Sequence, residues 1–283
     1  MRLGMRPLLA VDGDSLAHRA FHALPSSIRD GDGNQANMIV GFANMLLRVW
    51  EAEEPRTVFV GFDTIGEPLY RHELLPQYQS GRYFPPELLF QLDRLPELVE
   101  ALGFSWAKKA GYEADDFLAA AVRAEEERER ETLVLTSDRD LFQLASARTT
   151  VLVPRRGVSE LDRVDPAGVH ERYGIDPSQV ADFIALRGDS SDKIPGAKGI
   201  GPGRAATILR EYETLDGAIE AGVFQEQAEA LRTYLRIARL QYEAPVPELP
   251  DAQPDWRSTA ELVEGWGLKA LAKRLHERAQ SQS

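Results

Sequence analysis

Three carboxylates occupy four consecutive residues in Gly111-Tyr112-Glu113-Ala114-Asp115-Asp116, just ahead of an apolar helical run. Acidic side chains suit the positive first turn of a helix, and Asp is a favoured N-cap, which accounts for one or two of them. At about 100° per residue, Glu113 and Asp116 share a helix face while Asp115 points roughly opposite, so one regular helix would splay the three. The spacing therefore predicts Glu113 in the entering loop, from where all three can converge on one cation above the helix start. Glu113 and Asp115 are the expected direct ligands. Asp116, one face round, is expected to act through water.

Six more acids fall where predicted elements end. Asp12 closes the apolar run Leu8–Val11, Asp63 follows the run 57–62, Asp138 and Asp140 follow 132–136, and Asp189 and Asp192 stand at a helix end. Each has an ordinary reading of its own; Asp138, for example, can cap a short helix over 141–145. Gathered at one edge of one sheet, however, they repel, raise one another's pKa and destabilise the fold unless cations neutralise them. All-oxygen ligands select hard ions, Mg²⁺ or Mn²⁺, and the absence of His and Cys from the set argues against zinc. Nine carboxylates are too many for one octahedral ion. They suit two ions, about 4 Å apart, clamping the attacking and leaving oxygens of a phosphodiester. The chemistry read from these residues is phosphodiester hydrolysis.

The elements that must carry the acids follow from hydrophobic pattern. Leu8–Val11, 57–62 and 132–136 read as buried parallel strands, with 104–107 and 151–153 as further candidates. A helix from Asn34 to about Glu53 joins the first two strands, which suggests a right-handed crossover and places Asp12 and Asp63 together beyond the carboxyl ends of the sheet. Residues 66–96 mix basic and aromatic side chains, from Tyr70-Arg71-His72 to Arg82-Tyr83-Phe84-Pro85-Pro86. They read either as an arch in which aromatics stack on bases and arginines meet phosphates, or as a surface excursion pinned by its aromatics. A helix over 88–102 packs this segment back onto the sheet. Near Asp165 the composition changes to short helices punctuated by Pro and Gly, giving a core of 1–164 and a helical lobe of 165–283. Within the lobe, the turn at 194–203 enters a helix from Arg204 to about Glu213. Lys198, Gly199, Gly201, Gly203 and Arg204 would form a phosphate seat there, against the alternative of an ordinary turn between helices. Helices over 226–241 and 261–278 complete the lobe, with a Pro-rich connector at 244–255.

The 283 residues carry 33 Lys and Arg against 45 Asp and Glu, a formal charge of -12. That balance excludes a general coat of nucleic-acid or anionic-membrane affinity, though not a local basic groove. With no Cys there are no disulfides and no thiolate metal sites, and a reducing cytoplasm is the expected location. Arg2 and Arg6 precede an apolar run too short for a signal peptide or membrane span. Met5 is a possible alternative start, with the residues before it expected to be loosely held.

At these residues the chain resembles the 5′-nuclease family, which comprises flap endonucleases and the 5′-nuclease domain of bacterial DNA polymerase I. The likeness runs through Val11-Asp12-Gly13, Arg19-Ala20-Phe21-His22-Ala23-Leu24, Val60-Gly61-Phe62-Asp63, Gly111 to Asp116, Thr136 to Leu141, Gly188 to Gly196 and Gly199-Ile200-Gly201. It implies an α/β fold of the PIN/5′-nuclease kind: a mostly parallel central sheet with helices on both faces, a helical arch over the site, and a helix-hairpin-helix element at 194–210 gripping duplex DNA. By the same resemblance Asp12, Asp63, Glu113, Asp115 and Asp116 hold or orient a first Mg²⁺ or Mn²⁺, and Asp138, Asp140, Asp189 and Asp192 a second. Family members also seat K⁺ in the hairpin through backbone carbonyls. The implied partner is DNA with 5′ flaps, nicks or 5′ ends, bound by a monomer.

Three departures bear on activity. Bacterial relatives usually show Tyr-Lys-x-x-Arg in the arch, whereas this chain has Tyr78-Gln79-Ser80-Gly81-Arg82, so a cation expected near the scissile phosphate is missing unless Arg71 or Arg82 compensates. Gly203 and Arg204 stand where Lys and Ser or Thr are usual after Gly-Ile-Gly. Asp14 is an extra acid beside Asp12. No polymerase region follows residue 283, so a free-standing nuclease or an excised domain is expected. The rival readings are a flap-binding protein whose catalysis is weakened at Gln79, and a haloacid-dehalogenase-type phosphatase using Asp12-Gly13-Asp14. The phosphatase leaves Glu113 to Asp116, Asp138 and Asp140 unexplained. A dinucleotide enzyme is weaker still, since no Gly-x-Gly-x-x-Gly follows the first strand.

Overall fold

Leu8–Asp12 (β1) is apolar up to its final residue and buried along its whole length, as a central parallel strand must be. The computed structural model describes residues 6–67 and 69–281. The expectation for Met5 and its predecessors, Pro68 of the expected arch, and residues 282–283 lie outside the described residues. From β1 the chain enters α1 (Gly13–Ala23), then α2 (Asn37–Glu53) and β2 (Thr57–Gly61). Three short helices, α3 (Tyr70–Leu74), α4 (Pro86–Leu92) and α5 (Leu95–Ala101), lead to β3 (Ser105–Ala107). α6 (Ala114–Glu126) precedes β4 (Thr132–Leu135), and a 3₁₀ turn at Asp140–Leu144 precedes β5 (Thr149–Arg156) and β6 (Glu160–Val164). The rest is helical: α7 (Pro166–Tyr173), α8 (Val180–Arg187), α9 (Pro202–Tyr212), α10 (Leu215–Glu220), α11 (Ala228–Ala238), α12 (Trp256–Gly265) and α13 (Lys269–Ser281).

Among the described residues the strands form one sheet in the order β3-β2-β1-β4-β5-β6, parallel throughout except for β6, which runs antiparallel to β5. Chain order reverses at β1, with β2 on one side and β4 on the other. The carboxyl end of β1 is therefore a topological switch point, where a crevice opens between diverging connections. Asp12 pairs in register with Gly61, which sets the ends of β1 and β2 level. Side chains alternate across the sheet. Leu8, Ala10, Phe59, Val134 and Val151 enter a core shared with α6, α8, α9 and α11. Leu9, Val11, Val58, Val60, Leu133 and Leu152 enter a second core shared with α1, α2, α4, α5 and α12. Helices thus cover both faces, as the sequence predicted.

Five local readings change. A helix, α1, begins directly at Gly13, because Asp12 caps it by accepting from the Ser15 amide at 2.9 Å; its buried stripe of Leu16, Ala17 and Ala20 is too small-sided to stand out as a periodic signal. The helix expected over 88–102 is two, since Pro96 lacks the N–H that continuation needs and falls in the first turn of α5. The terminal helix expected over 261–278 also breaks, at Gly267, whose φ of +74° is left-handed and whose close packing on Gly31 leaves no room for a side chain. The helix expected over 226–241 is a 3₁₀ turn followed by α11, and β6 escaped notice because its half-exposed Glu160-Leu161-Asp162-Arg163 lacks an apolar run. No helix among the described residues is long and apolar enough to cross a membrane.

Candidate active site

Strand and helix ends converge on an acidic crevice of about 530 Å³ at the switch point, lined by Asp12, Asp14, Asp63, Glu113, Asp115, Asp138 and Asp192. Asp12 is fixed from two sides, by the Ser15 amide and by the Thr136 hydroxyl, which donates at 2.8 Å. Asp63 accepts from the Ala114 amide at 2.7 Å, tying the end of β2 to the start of α6, while its own amide donates to Asp14 at 2.7 Å. Beyond β4 the Asp138 amide donates to Thr136 Oγ1 and Asp138 Oδ1 accepts from the Asp140 amide. Asp189 binds its own loop, accepting from the amides of Ser191 and Asp192 and from the Ser191 hydroxyl. Asp140 and Asp189 stand just outside the crevice lining and share Arg187, at 3.9 and 3.2 Å.

Burial and mutual repulsion dominate the electrostatics. Desolvation, with Asp138 adding repulsion against the hydrogen bonds from Ser15 and Thr136, pushes Asp12 up to about 6. Asp63 is likewise pushed up to about 6 by burial, opposed by the Ala114 amide and aided by Asp12. Burial and then Glu113 raise Asp192 to about 6. Glu113 reaches about 7, chiefly through burial against the pull of Arg71. Burial raises Asp14, Asp115 and Asp140 well above the carboxylate range, each reinforced by a neighbouring Asp, and raises Asp138 too. Asp189 is the exception: burial pushes it up, but hydrogen bonds from Ser191 and Asp192 and the charge of Arg187 bring it down.

Glu113 is the N-cap of α6, in the entering loop as expected, and Asp115 lines the crevice. Asp116 does not. It is fully buried and turned away, accepting from the Glu113 amide at 3.1 Å and the Gln241 amide at 2.9 Å, and holding Arg71 through two hydrogen bonds of 2.8 Å. Both of its carboxylate oxygens are thus engaged by Arg71 and backbone amides on the side away from the crevice. Arg71 is also spent. Its guanidinium bonds Glu113 at 2.6 Å and the Ile237 carbonyl at 3.1 Å, stapling the base of α3 to α6 and to the end of α11, so it cannot stand in for the missing arch cation. That leaves Arg82, which lies on the crevice wall with an Nη2–Asp192 contact of 2.8 Å. Gln79 donates to Glu113 at 2.8 Å and the Tyr78 hydroxyl lies 3.2 Å from the same carboxylate, while the Tyr78 ring is buried. The residue that sequence reasoning did not place here is His18, whose ring packs on Phe84 at 5.7 Å; Tyr83, in the expected arch, lies on the outer wall. His18 had a findable signal, since it lies one helical turn and a half beyond Asp12 on a helix that starts at the crevice.

The turn between α8 and α9 is tightly built. Gly188 and Gly196 meet backbone to backbone, a Cβ on Gly196 falling 2.4 Å from the Gly188 amide nitrogen. A Cβ on Gly199, Gly201 or Gly203 would by contrast meet nothing within 4 Å, so these residues present bare backbone to solvent beside exposed Lys198 and Arg204. One amide of the expected seat is taken, since that of Lys198 donates to Gln227 at 2.9 Å.

Among the described residues no three His or carboxylate groups form a ready-made metal cage. The chemistry of the donor set nevertheless fits hard divalent cations. Every crevice acid offers oxygen, and burial with like-charged neighbours leaves uncompensated negative charge that a cation would relieve.

A mostly parallel sheet whose switch point carries an acidic crevice, walled by a basic and aromatic segment and flanked by a helical lobe, is the architecture of the PIN-like 5′-nucleases. Residues 7–174 match the 5′-3′ exonuclease N-terminal resolvase-like domain, and residues 175–251 the 5′-3′ exonuclease C-terminal SAM fold. The chain belongs to the 5′-3′ exonuclease family. It is 42% identical over 233 residues to DNA polymerase I of Mycobacterium leprae, covering 81% of this chain and 25% of that one. With the thermostable DNA polymerase I of Thermus thermophilus it shares 37% over 277 residues, covering 95% of this chain and 32% of the other. The chain thus spans a quarter to a third of the length of these relatives. In fold it is similar to the D15 flap endonuclease of bacteriophage T5, solved with DNA and metal ions, at a TM-score of 0.69 and 20% identity over 97% of this chain and 100% of that one.

Proposed function

We propose that this protein is a structure-specific 5′-nuclease, a flap endonuclease and 5′-3′ exonuclease that hydrolyses DNA phosphodiesters in replication and repair. The observation that carries the reading is the crevice itself: seven acids from four chain segments plus the 188–192 loop, buried together at a switch point with almost no cation among them. Asp12, Asp63, Glu113 and Asp115 would hold one Mg²⁺ or Mn²⁺ and Asp138, Asp140, Asp189 and Asp192 the other, with Asp14 behind Asp63. Bound there, two such ions supply water activation and neutralisation of the leaving oxygen.

The chain's own residues do the rest. Thr136 and the Ser15 and Ala114 amides hold Asp12 and Asp63 in place, so the donors need little reorganisation. Arg82, on the crevice wall, exchanges Asp192 for a phosphate oxygen and adds positive charge where the transition state gathers negative charge. Gln79 and Tyr78 orient Glu113 rather than meet the phosphate. Arg71 and Asp116 fix α6 against α11 and so align the core with the lobe. We assign the two functional units to 1–164, with the arch at about 66–96, and 165–283. In the second, the bare backbone at Gly199, Gly201 and Gly203 with Lys198 and Arg204 serves as a helix-hairpin-helix at about 194–210. It grips duplex phosphates sequence-independently, with K⁺ as a structural ion on its carbonyls. A monomer acting in the bacterial cytoplasm on 5′ flaps, nicks and 5′ ends completes the assignment.

The test is cleavage of a 5′-flap duplex, a nicked duplex and p-nitrophenyl phosphate in Mg²⁺, Mn²⁺ or EDTA. Flap and nick products that vanish in EDTA support the reading. Cleavage of p-nitrophenyl phosphate alone overturns it, and flap binding without cutting in either ion points to a binder weakened at Gln79.

A further inference from the structure

On the face of the sheet that α2 covers, a cleft of about 620 Å³ opens between α2, the β5–β6 hairpin and α13. It shares no lining residue with the acidic crevice. Its floor is apolar, with Leu47, Val158, Trp256 and Leu275 all buried. Its charged lining groups are Arg48, Arg156, Arg274, Arg278 and Glu51, four guanidiniums against one carboxylate in a chain whose formal charge is -12. Two of the arginines are held: Arg274 donates to Asn44 at 2.8 Å, and Arg278 pairs with Glu51 and lies 5.9 Å from the Trp256 ring centre. Among the described residues the other two guanidiniums, on Arg48 and Arg156, are exposed and make no hydrogen bond or ion pair. A helix dipole accounts for Arg278, in the last turn of α13, but not for cations brought in from α2 and from the hairpin.

We propose that this cleft binds a free nucleoside di- or triphosphate, with the phosphates between the guanidiniums and the base on the apolar floor. Guanidinium forks match phosphate oxygens two at a time, and a cavity of this volume suits a small ligand. Residues 44–51 of α2 and 271–278 of α13 each run about 10 Å along the walls, at about 1.5 Å per residue, which gives room for a base, a sugar and a short phosphate chain in line. An inorganic anion would leave the floor unused, and an apolar ligand would leave the guanidiniums unmatched. A DNA duplex shows phosphates outside and keeps its bases stacked within, so it too leaves the floor bare. Asn44, whose carbonyl is taken by Arg274, keeps its NH₂ for an oxygen of the sugar or base. The positive charge comes from the chain itself, so this site needs no divalent ion.

The experiment is calorimetric titration of the full chain in EDTA with ATP, ADP, AMP and inorganic pyrophosphate. ATP and ADP should bind one per chain, and both AMP and pyrophosphate more weakly, the first for want of phosphate and the second for want of a base. Arg48→Ala and Arg156→Ala should each weaken ATP by about 10-fold, the worth of one charge-assisted hydrogen bond. Because neither guanidinium has a partner within the chain, both variants should melt as the wild type does. Lys273→Ala, on the same helix as Arg274 but outside the cleft, should bind ATP unchanged. No binding of millimolar ATP by the wild type overturns the proposal, as does ATP binding that both arginine variants retain in full. Pyrophosphate binding as tightly as ATP would leave the floor without a role and overturns the nucleoside assignment. Displacement of ATP by equal concentrations of hexaglutamate or of a paired duplex would assign the cleft to a macromolecule and overturns it as well.

Discussion

Raising the pH in the absence of divalent ions should loosen this protein, against the trend for most acidic proteins, and adding Mg²⁺ should reverse the effect. Glu113 is raised from 4.5 to about 7 on folding, chiefly by burial. A carboxylate whose folded pKa lies above its unfolded value contributes stability that is fully present below the unfolded pKa and lost as pH climbs through the folded one. Between pH 5 and pH 7 the loss from Glu113 is about 2 pH units at 1.36 kcal/mol each, or about 3 kcal/mol. Asp12, Asp63 and Asp192, raised to about 6, steepen the fall between pH 5 and pH 6. They do not add in full, because ionising one acid raises its neighbours. His18 is lowered, mainly by burial, so its contribution grows as pH rises, but it is one half-buried group against four and is exhausted above its ordinary value. At roughly 2–4 °C per kcal/mol for a chain of this size, the melting temperature in EDTA should drop by about 6–12 °C from pH 5 to pH 7.5. Because cations bind the ionised acids, Mg²⁺ should raise the melt more at pH 7.5 than at pH 5. Thermal melts across that range, with and without Mg²⁺, decide the matter. A melt in EDTA that is flat or rises from pH 5 to pH 7.5 would refute the electrostatic reading of the crevice.

Other perturbations test separate parts. Asp116→Asn leaves the buried Arg71 charge half-paired and should cost about 3–5 kcal/mol in denaturant unfolding, whereas an exposed ion pair would cost under about 1; a loss below 1 kcal/mol would return Asp116 to the crevice. Gln79→Lys should raise the single-turnover rate on a 5′ flap, by up to about 10²-fold if the missing cation limits the transition state, and an unchanged rate would show that Arg82 suffices. Gly196→Ala forces a side chain against the Gly188 backbone at a φ of +74°, so it should abolish duplex binding while the circular dichroism of the sheet persists; unaltered duplex binding would remove the turn at 194–203 from the DNA interface.

The parallel strands and the acids at their ends were legible because burial on both faces leaves an apolar run, and an Asp ending such a run stands out. Asp12, Asp63 and Asp138 meet in the crevice for that reason. What the sequence could not reveal depended on partners distant along the chain. Asp116 and Glu113 differ by three positions, yet Asp116 is claimed by Arg71, 45 residues earlier, and by Gln241, 125 residues later. Arg71 looked like a free cation for the same reason. Tyr78 and Tyr83 looked equivalent in the arch, and only packing separates the buried hydroxyl from the exposed ring. α1 was hidden by alanines, and the breaks at Pro96 and Gly267 fell inside otherwise continuous apolar patterns.

The central claim is that the crevice acids hold the ions that cut DNA, and single-turnover cleavage of a 5′-flap duplex by Asp63→Ala, with flap affinity measured in parallel in Ca²⁺, tests it most directly. Asp63 lies where β2, α6 and Asp14 meet and touches no residue assigned to the lobe's DNA grip. Cutting in Mg²⁺ should be abolished while flap affinity stays within a few-fold of the wild type. An Asp63→Ala protein that cuts at the wild-type rate would contradict the account.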